Sequence, residues 1–161
     1  MKSRYTKCLT VLLAAGVIVA APAFASGDRG TEVEAQEMVK KALALIKSAG
    51  PEAAYKAFTE HPNGAFKDRD LYVFVYDFQG NCLAQGANPK MIGMNLIELK
   101  DMNGKPIIRG QIEMVKSQKA GWFGPYKFPS PVTKVQETKK SYCEQGAPET
   151  IVCVGAYVGN S

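Results

Sequence analysis

The chain has 161 residues and a net charge of +5 at pH 7, with 20 basic and 15 acidic side chains. Three of the basic residues lie in the first 25 positions, so the other 136 residues carry 17 basic and 15 acidic groups, a net charge of +2. This balance gives no electrostatic case for a nucleic-acid partner, and 136 residues predict one domain with an adequate core.

The first 25 residues have the pattern of a secretory signal peptide. Lys2, Arg4 and Lys7 precede an apolar run from Leu9 to Ala21, and Ala23-Phe24-Ala25 fits an A-x-A cleavage site. The run is too short for a stable membrane span, although an uncleaved anchor is the alternative. We therefore predict cleavage after Ala25, a periplasmic or secreted protein, and a single domain over residues 26–161.

Two helices are predicted at the start of this domain. Apolar residues recur at three- and four-residue spacing from Thr31 onward, and Gly50 ends this first, long helix. Pro51 suits the first turn of a shorter helix over Glu52 to Thr59.

A hairpin and a loop follow. Residues Leu71 to Tyr76 are β-branched or aromatic and predict a strand, Asp77 to Gly80 predict a turn, and Cys82 to Ala84 predict its partner strand. The segment from Asn88 to Asp101 predicts a loop with a short helical piece that closes over the sheet.

The last part of the chain predicts one helix and three strands. The helix extends from Lys105 to Lys119, and the strands begin near Gly121, Val135 and Thr150. Strands joined by short turns favour an antiparallel sheet, here of five strands, with the helices on one face or end. This is an α+β architecture.

Three cysteines follow the predicted cleavage site. In an oxidising compartment an odd number leaves one pair and one free thiol, or no pair. Cys143 and Cys153 flank a turn, and opposed residues of an antiparallel pair lie within disulfide reach. We favour this disulfide, with Cys82 as a buried free thiol.

Patterns typical of enzymes are absent from the sequence. The only histidine, His61, lies in a Pro-Asn-Gly loop, where a surface or capping role is expected rather than a catalytic one. No cysteine or histidine spacing fits a metal site, and no glycine-rich loop fits a phosphate. We predict no catalytic residue, metal or cofactor. A small enzyme would need a titratable group such as Asp77 or Asp101 with a raised pKa in a cleft.

Aromatic and cationic side chains are concentrated in the predicted strands. Tyr72, Phe74 and Tyr76 alternate along one face of the first strand. Others follow in the later strands: Trp122, Tyr126, Phe128, Lys139, Tyr142 and Tyr157. They form either an ordinary core, which we accept for Phe74 and Phe128, or a pocket with a few aimed donors for a small polar ligand.

Several short motifs together resemble the single Cache domain of type 2. They occur in the same order and at matching spacing from about Glu32 to Val158, and include Leu71-Tyr-Val-Phe-Val-Tyr-Asp77, Asn88-Pro89, Gly104-Lys105-Pro106, Gly121-Trp122 and Gly155-Ala156-Tyr157. The resemblance implies a PAS-like fold in which a long N-terminal helix packs on an antiparallel sheet. It also implies a pocket on the other side of the sheet for small carboxylates or similar metabolites.

Carried over position by position, the resemblance implies a set of ligand-binding residues: Tyr72, Gln85, Trp122, Tyr126, Lys139, Tyr142 and Tyr157. Lys139 is the favoured carboxylate partner. Gln85 stands where such domains commonly have histidine, and Ser130 stands where asparagine is usual. If Cys143 faces Cys153, strand alternation makes the Tyr142 side chain point to one face of the sheet and those of Lys139 and Tyr157 to the other, unless a bulge shifts the register.

The resulting prediction is an exported sensor domain for a small organic acid. With no signalling segment recognised in the sequence, the signal would pass to a partner protein, such as a membrane-bound receptor. The alternative is an interaction module whose pocket is filled by its own side chains and which dimerises or docks through the N-terminal helix.

Overall fold

The computed structural model describes residues 29–60 and 64–159. Its helices are α1 (Glu32–Ala49), α2 (Pro51–Glu60) and α3 (Ile107–Gln118), and a single 3-10 turn covers Pro89–Met91. Its strands are β1 (Lys67–Asp68), β2 (Leu71–Asp77), β3 (Cys82–Gln85), β4 (Ala120–Pro129), β5 (Gln136–Gln145) and β6 (Thr150–Tyr157). The predicted signal peptide, its cleavage site and His61 lie outside the described residues.

The first helix begins at a capping box. The Thr31 hydroxyl accepts a hydrogen bond from the Glu34 N–H at 3.2 Å, and the Glu34 carboxylate accepts one from the Thr31 N–H at 2.7 Å. Gly50, with φ of 84°, ends the helix and donates its N–H to the Ile46 carbonyl. Both boundaries agree with the sequence prediction.

The strands form one antiparallel sheet in the order β1-β2-β6-β5-β4, with β3 also paired to β2. The predicted hairpin and the three late strands are present. The short strand β1, which has only two residues, is the addition to the five strands expected. In the β5–β6 hairpin, Cys143 lies opposite Cys153 and Lys139 lies opposite Tyr157, with no shift of register between them.

The sheet has two buried faces, which we call the helix face and the pocket face. Residues Leu71, Val73 and Val75 point to the helix face, where α1 and α2 cover them together with Val152 and Val154. The alternate residues of the same strands point to the pocket face, where α3 and the loop after β3 cover them: Tyr72, Phe74, Tyr76, Ile151 and Cys153. The alternation of β2 is as the sequence predicts.

Helices cover both faces of the sheet, rather than one face or end as expected. The apolar side of α3 (Ile107, Ile108, Ile112 and Val115) packs against the aromatic residues of the pocket face. Because this face is broad and aromatic, leaving it open to water would expose a large apolar area. The third helix therefore encloses the region in which the candidate site lies.

Candidate functional site

Lys139 is the charged residue at the centre of the pocket face. Its side chain is only 1% exposed. Its ammonium donates to the Tyr72 hydroxyl at 2.6 Å. The Nζ atom also lies 4.1 to 5.5 Å from the centres of four aromatic rings, those of Tyr72, Tyr157, Phe128 and Phe74. Cation–π attraction to these rings offsets part of the cost of burying the ammonium.

The electrostatic environment of Lys139 leaves its charge incompletely balanced. No carboxylate among the described residues lies within ion-pair distance of Nζ. Asp70 acts on it from farther away, and its own carboxylate accepts a hydrogen bond from the Gly30 N–H at 2.6 Å. Burial lowers the pKa of Lys139 to about 7, against the weaker, opposing effect of Asp70. An anion in front of Nζ would stabilise the charged form.

Strand register and one glycine place Lys139 where it is. Because Lys139 pairs with Tyr126 on β4 and with Tyr157 on β6, all three side chains emerge on the pocket face. Gly155 then leaves room for the lysine chain. A Cβ atom at position 155 would lie 1.9 Å from Lys139 Cε and 2.9 Å from its Nζ. The absence of a side chain at this position lets the ammonium lie flat against the sheet.

Two neighbouring spaces lie on the pocket face. The inner cavity has a volume of about 10 Å³, room for roughly one water molecule, and Lys139 is part of its wall. The outer pocket has a volume of about 320 Å³, within the range of small-molecule sites. Tyr72, Gln85 and Phe128 line both spaces and form the boundary between them.

A hydrogen-bonded group of neutral side chains lies beside the inner cavity, and two of its members, Tyr126 and Gln111, line that cavity. The hydroxyls of Tyr126 and Ser141 lie 2.6 Å apart, and Gln111 Nε2 donates to the Tyr126 hydroxyl at 3.4 Å. Burial raises the pKa of both Tyr72 and Tyr126, so both phenols are neutral at pH 7. They can therefore donate hydrogen bonds to an anion.

Five of the seven predicted ligand-binding residues lie together on the pocket face. Tyr72, Gln85, Tyr126 and Lys139 line the inner cavity. Tyr157 packs against Lys139, and its hydroxyl donates to the Pro129 carbonyl at 2.6 Å. Gln85 is 2% exposed and accepts a hydrogen bond from the Ala87 N–H, so it anchors the start of the covering loop.

The remaining two predicted ligand-binding residues, Trp122 and Tyr142, lie on the helix face, which corrects that prediction. Their rings contact each other at 5.4 Å and pack on the helix-face core. For Tyr142 the reason is the unshifted β5–β6 register. Trp122 pairs with Tyr142 across β4 and β5 and therefore points to the same face. One extra residue of β4 between Phe123 and Tyr126 reverses the alternation, so that Tyr126, but not Trp122, points toward the pocket.

Sequence reasoning missed Gln111, Ser141 and Gly155. Gln111 is fully buried on the apolar side of α3, and a lone glutamine within an isoleucine stripe was a detectable signal. Ser141 and Gly155 carry no such signal, because their roles depend on cross-strand neighbours. Ser130, noted as a departure from the family pattern, accepts hydrogen bonds from the Val132 and Thr133 N–H groups and so stabilises a turn.

The other sequence expectations concern residues away from the cavity. Cys143 and Cys153 are joined by a disulfide, and Cys82 is a buried free thiol. Backbone N–H groups, that of Lys127 first, hold the pKa of Asp101 below its usual value, not above it. Within residues 29–60 and 64–159 we find no group of side chains suited to a metal ion. In the same residues no helix is long and apolar enough to cross a membrane.

Comparison with solved structures identifies similar folds. A methyl-accepting chemotaxis protein from Vibrio parahaemolyticus is 23% identical, with a TM-score of 0.65 over 78% of this chain and 86% of that one. A periplasmic sensor domain of a chemotaxis protein is 24% identical, with a TM-score of 0.61 over 76% and 87% of the two chains.

A third structure, described as the structural basis for carboxylic acid recognition by a Cache chemosensory domain, is also 24% identical. Its TM-score is 0.59 over 76% of this chain and 85% of that one. At these identities the likeness establishes the fold alone. Among curated proteins no match is found.

The family comparison covers nearly the whole sequence. The family model of single Cache domain 2 matches residues 10–160, and this range includes every described helix and strand. The two-faced sheet, the long N-terminal helix and the enclosed pocket are consistent with that match. The chain belongs to the single Cache domain 2 family, a family of ligand-binding sensor domains.

Proposed function

We propose that this chain is an exported sensor module that binds a small carboxylate, without catalysing a reaction. The observation that carries the proposal is the buried ammonium of Lys139, which faces a cavity and lacks a carboxylate partner among the described residues. A buried charge without a counter-ion is costly, and a buried, strongly perturbed group that faces a cleft is a candidate for a functional site.

The chemistry of the cavity suits a carboxylate. One carboxylate oxygen would accept from Lys139 Nζ and the other from the Tyr72 hydroxyl, and charge-assisted hydrogen bonds of this kind are strong. The carbon skeleton would extend toward the outer pocket, between Phe128 and Gln85. A structural neighbour described in terms of carboxylic acid recognition supports this class of ligand. Nucleophile, base and metal set are not assembled in the described cavity, so binding is favoured over catalysis.

The proposal extends to location and signalling. Export with cleavage after Ala25 would place the domain in the periplasm or outside the cell, where the signal would pass to a membrane-bound partner protein. Mass spectrometry of protein recovered from the periplasm checks the first part, with a mature chain that begins at Ser26 as the expected result. Whether the partner is a receptor or a second copy of this chain is decided by the oligomeric state with and without ligand.

Isothermal titration with a panel of short carboxylates tests the binding site. Lys139→Met should weaken binding at least tenfold, because it removes a charge-assisted hydrogen bond. The matched control is Lys140→Met on the helix face, where the lysine forms a half-exposed pair with Glu32 at 3.2 Å. This variant should bind within about twofold of the unmodified protein.

A second pair of variants separates the two faces with the same chemical change. Tyr72→Phe removes the hydroxyl beside Lys139 and should weaken binding by about five- to tenfold. Tyr142→Phe removes a hydroxyl on the helix face, which donates to Glu144, and should leave affinity within about twofold. Absence of binding by every carboxylate at millimolar concentration would refute the proposal.

A second candidate function is an interaction module whose pocket is filled by its own side chains. The observation that favours it is the small volume of the inner cavity, about 10 Å³. Such a module would dimerise or dock through α1, where Val33 is 64% exposed. It predicts that no carboxylate raises the melting temperature and that Val33→Asp disrupts association, whereas the sensor proposal requires a ligand-dependent rise.

A further inference from the structure

Gln111 is a buried polar residue whose hydrogen bonding is incomplete. Its side chain is 0% exposed and shares the inner side of α3 with Ile107, Ile108 and Ile112. Its Nε2 donates to the Tyr126 hydroxyl, but its Oε1 has no hydrogen-bond partner among the described residues. Buried side-chain oxygens are nearly always paired, so this acceptor indicates a donor that arrives with a ligand.

The position of Gln111 relative to Lys139 defines the ligand that would satisfy both. Both residues line the inner cavity, and Tyr126 connects them, since it pairs with Lys139 across the sheet and bonds to Gln111 on α3. The lysine end of the cavity offers donors to a carboxylate. The glutamine end offers an acceptor. A matching molecule therefore carries a hydrogen-bond donor close to its carboxylate.

The charge of the cavity decides which donor fits. The side chains that line it are aromatic, aliphatic or amide, apart from the Lys139 ammonium, and none is acidic. An ammonium group on the ligand would lie near Lys139 without a carboxylate to balance it, which is unfavourable at low dielectric. A neutral hydroxyl carries no such cost.

We propose that the site selects short hydroxy acids, with the ligand carboxylate on Lys139 and Tyr72 and its hydroxyl donating to Gln111 Oε1. This inference rests on the proposed carboxylate function and specifies its ligand class. It makes Gln111 the residue that distinguishes a hydroxy acid from the simple acid of the same length.

Titration of the purified protein with matched ligand pairs tests the inference. Glycolate and acetate differ by one hydroxyl, as do lactate and propionate, and glycine and alanine carry an ammonium at the same position. We expect each hydroxy acid to bind about tenfold more tightly than its simple analogue, since an unpaired buried acceptor disfavours the latter. The amino acids should not bind at millimolar concentration.

Gln111→Met removes the acceptor and keeps a similar volume. In this variant the affinity ratio of glycolate to acetate should fall to about one. Gln118→Met, at the exposed end of the same helix, is the matched control and should preserve the ratio. A preference for glycolate that survives in Gln111→Met would overturn the assignment of this residue.

A test with the unmodified protein does not depend on the variant folding. Methoxyacetate replaces the hydroxyl proton of glycolate with a methyl group, and it should bind at least tenfold more weakly than glycolate. Equal binding of glycolate and acetate, with acetate still dependent on Lys139, would overturn the hydroxy-acid inference and leave the carboxylate function intact. Absence of binding by every acid tested would overturn both.

Discussion

The helix face and the pocket face of the sheet are built from the same strands, yet their buried side chains differ in kind. The helix face is a continuous cluster of alanine, valine and other apolar residues. The pocket face adds Lys139, four tyrosines, Gln111 and Ser141 to its apolar residues. Because strand side chains alternate, one strand can contribute to stability on one side and to ligand binding on the other.

This difference also divides the energetic roles. Apolar burial on the helix face stabilises the fold. The pocket face buries an ammonium with incomplete compensation, which destabilises the ligand-free domain and favours an anion. We therefore expect substitutions on the helix face to change stability without affecting affinity. Substitutions on the pocket face should change affinity more than stability.

The largest expected effect is on the helix face. Phe58 is 1% exposed and its ring packs edge-on against Phe66 at 4.7 Å. Phe58→Ala should lower the free energy of unfolding by about 3–5 kcal/mol, because it leaves a cavity in the core. Urea denaturation measures this loss. Val33→Ala, at an exposed position of α1, should change stability by less than about 0.5 kcal/mol. A large loss of carboxylate affinity in folded Phe58→Ala would contradict the division of roles.

The next effect is on the pocket face at Gly155. An alanine there would displace the end of the Lys139 side chain, because its Cβ atom would lie 1.9 Å from Lys139 Cε. Carboxylate affinity should fall about 100-fold in titration, equivalent to about 2.7 kcal/mol. The lysine end is flexible, so the fold should persist by circular dichroism. Gly159→Ala, where an added Cβ atom meets nothing within 4 Å, is the control and should bind normally.

The third expected effect is a pH dependence that belongs to the pocket face, and it is smallest close to pH 7. Burial lowers the pKa of Lys139 to about 7, and the neighbouring phenols of Tyr72 and Tyr157 have raised pKa values, so they do not titrate near neutrality. Carboxylate affinity should fall about tenfold per pH unit above 7, as the ammonium loses its proton. Titration at pH 6, 7, 8 and 9 measures this, and a flat profile would contradict it. Lys139→Met should show no such slope.

The same pKa shift predicts the pH dependence of stability in the ligand-free protein. The unfolded chain keeps the lysine protonated up to its ordinary pKa of 10.5, whereas the folded chain releases the proton near pH 7. The unfolded state therefore binds more protons between these values, and the contribution of Lys139 to the free energy of unfolding rises with pH in this window. Thermal melts at pH 7 and 9, compared with Lys139→Met, isolate that contribution.

The local pattern of residues was sufficient for much of the fold. The start of the first helix after Thr31, its end at Gly50 and the aromatic strand from Leu71 depend on near neighbours in the chain, and each lies where the sequence predicts. The position of α3 on the far face of the sheet was not predicted. It depends on which surface the isoleucine side of that helix can bury, and that surface exists only after the strands have assembled.

The candidate site divides in the same way. The sequence by itself determined the alternation of β2 and the pairing geometry that places Lys139 opposite Tyr157 when Cys143 faces Cys153. The tertiary structure alone decided which late aromatics reach the pocket. One extra residue in β4 turns Tyr126 inward and leaves Trp122 on the helix face. Gly155 and Gln111 acquire their roles only through neighbours distant in sequence, because cavities and unpaired acceptors are properties of packed elements and not of single segments.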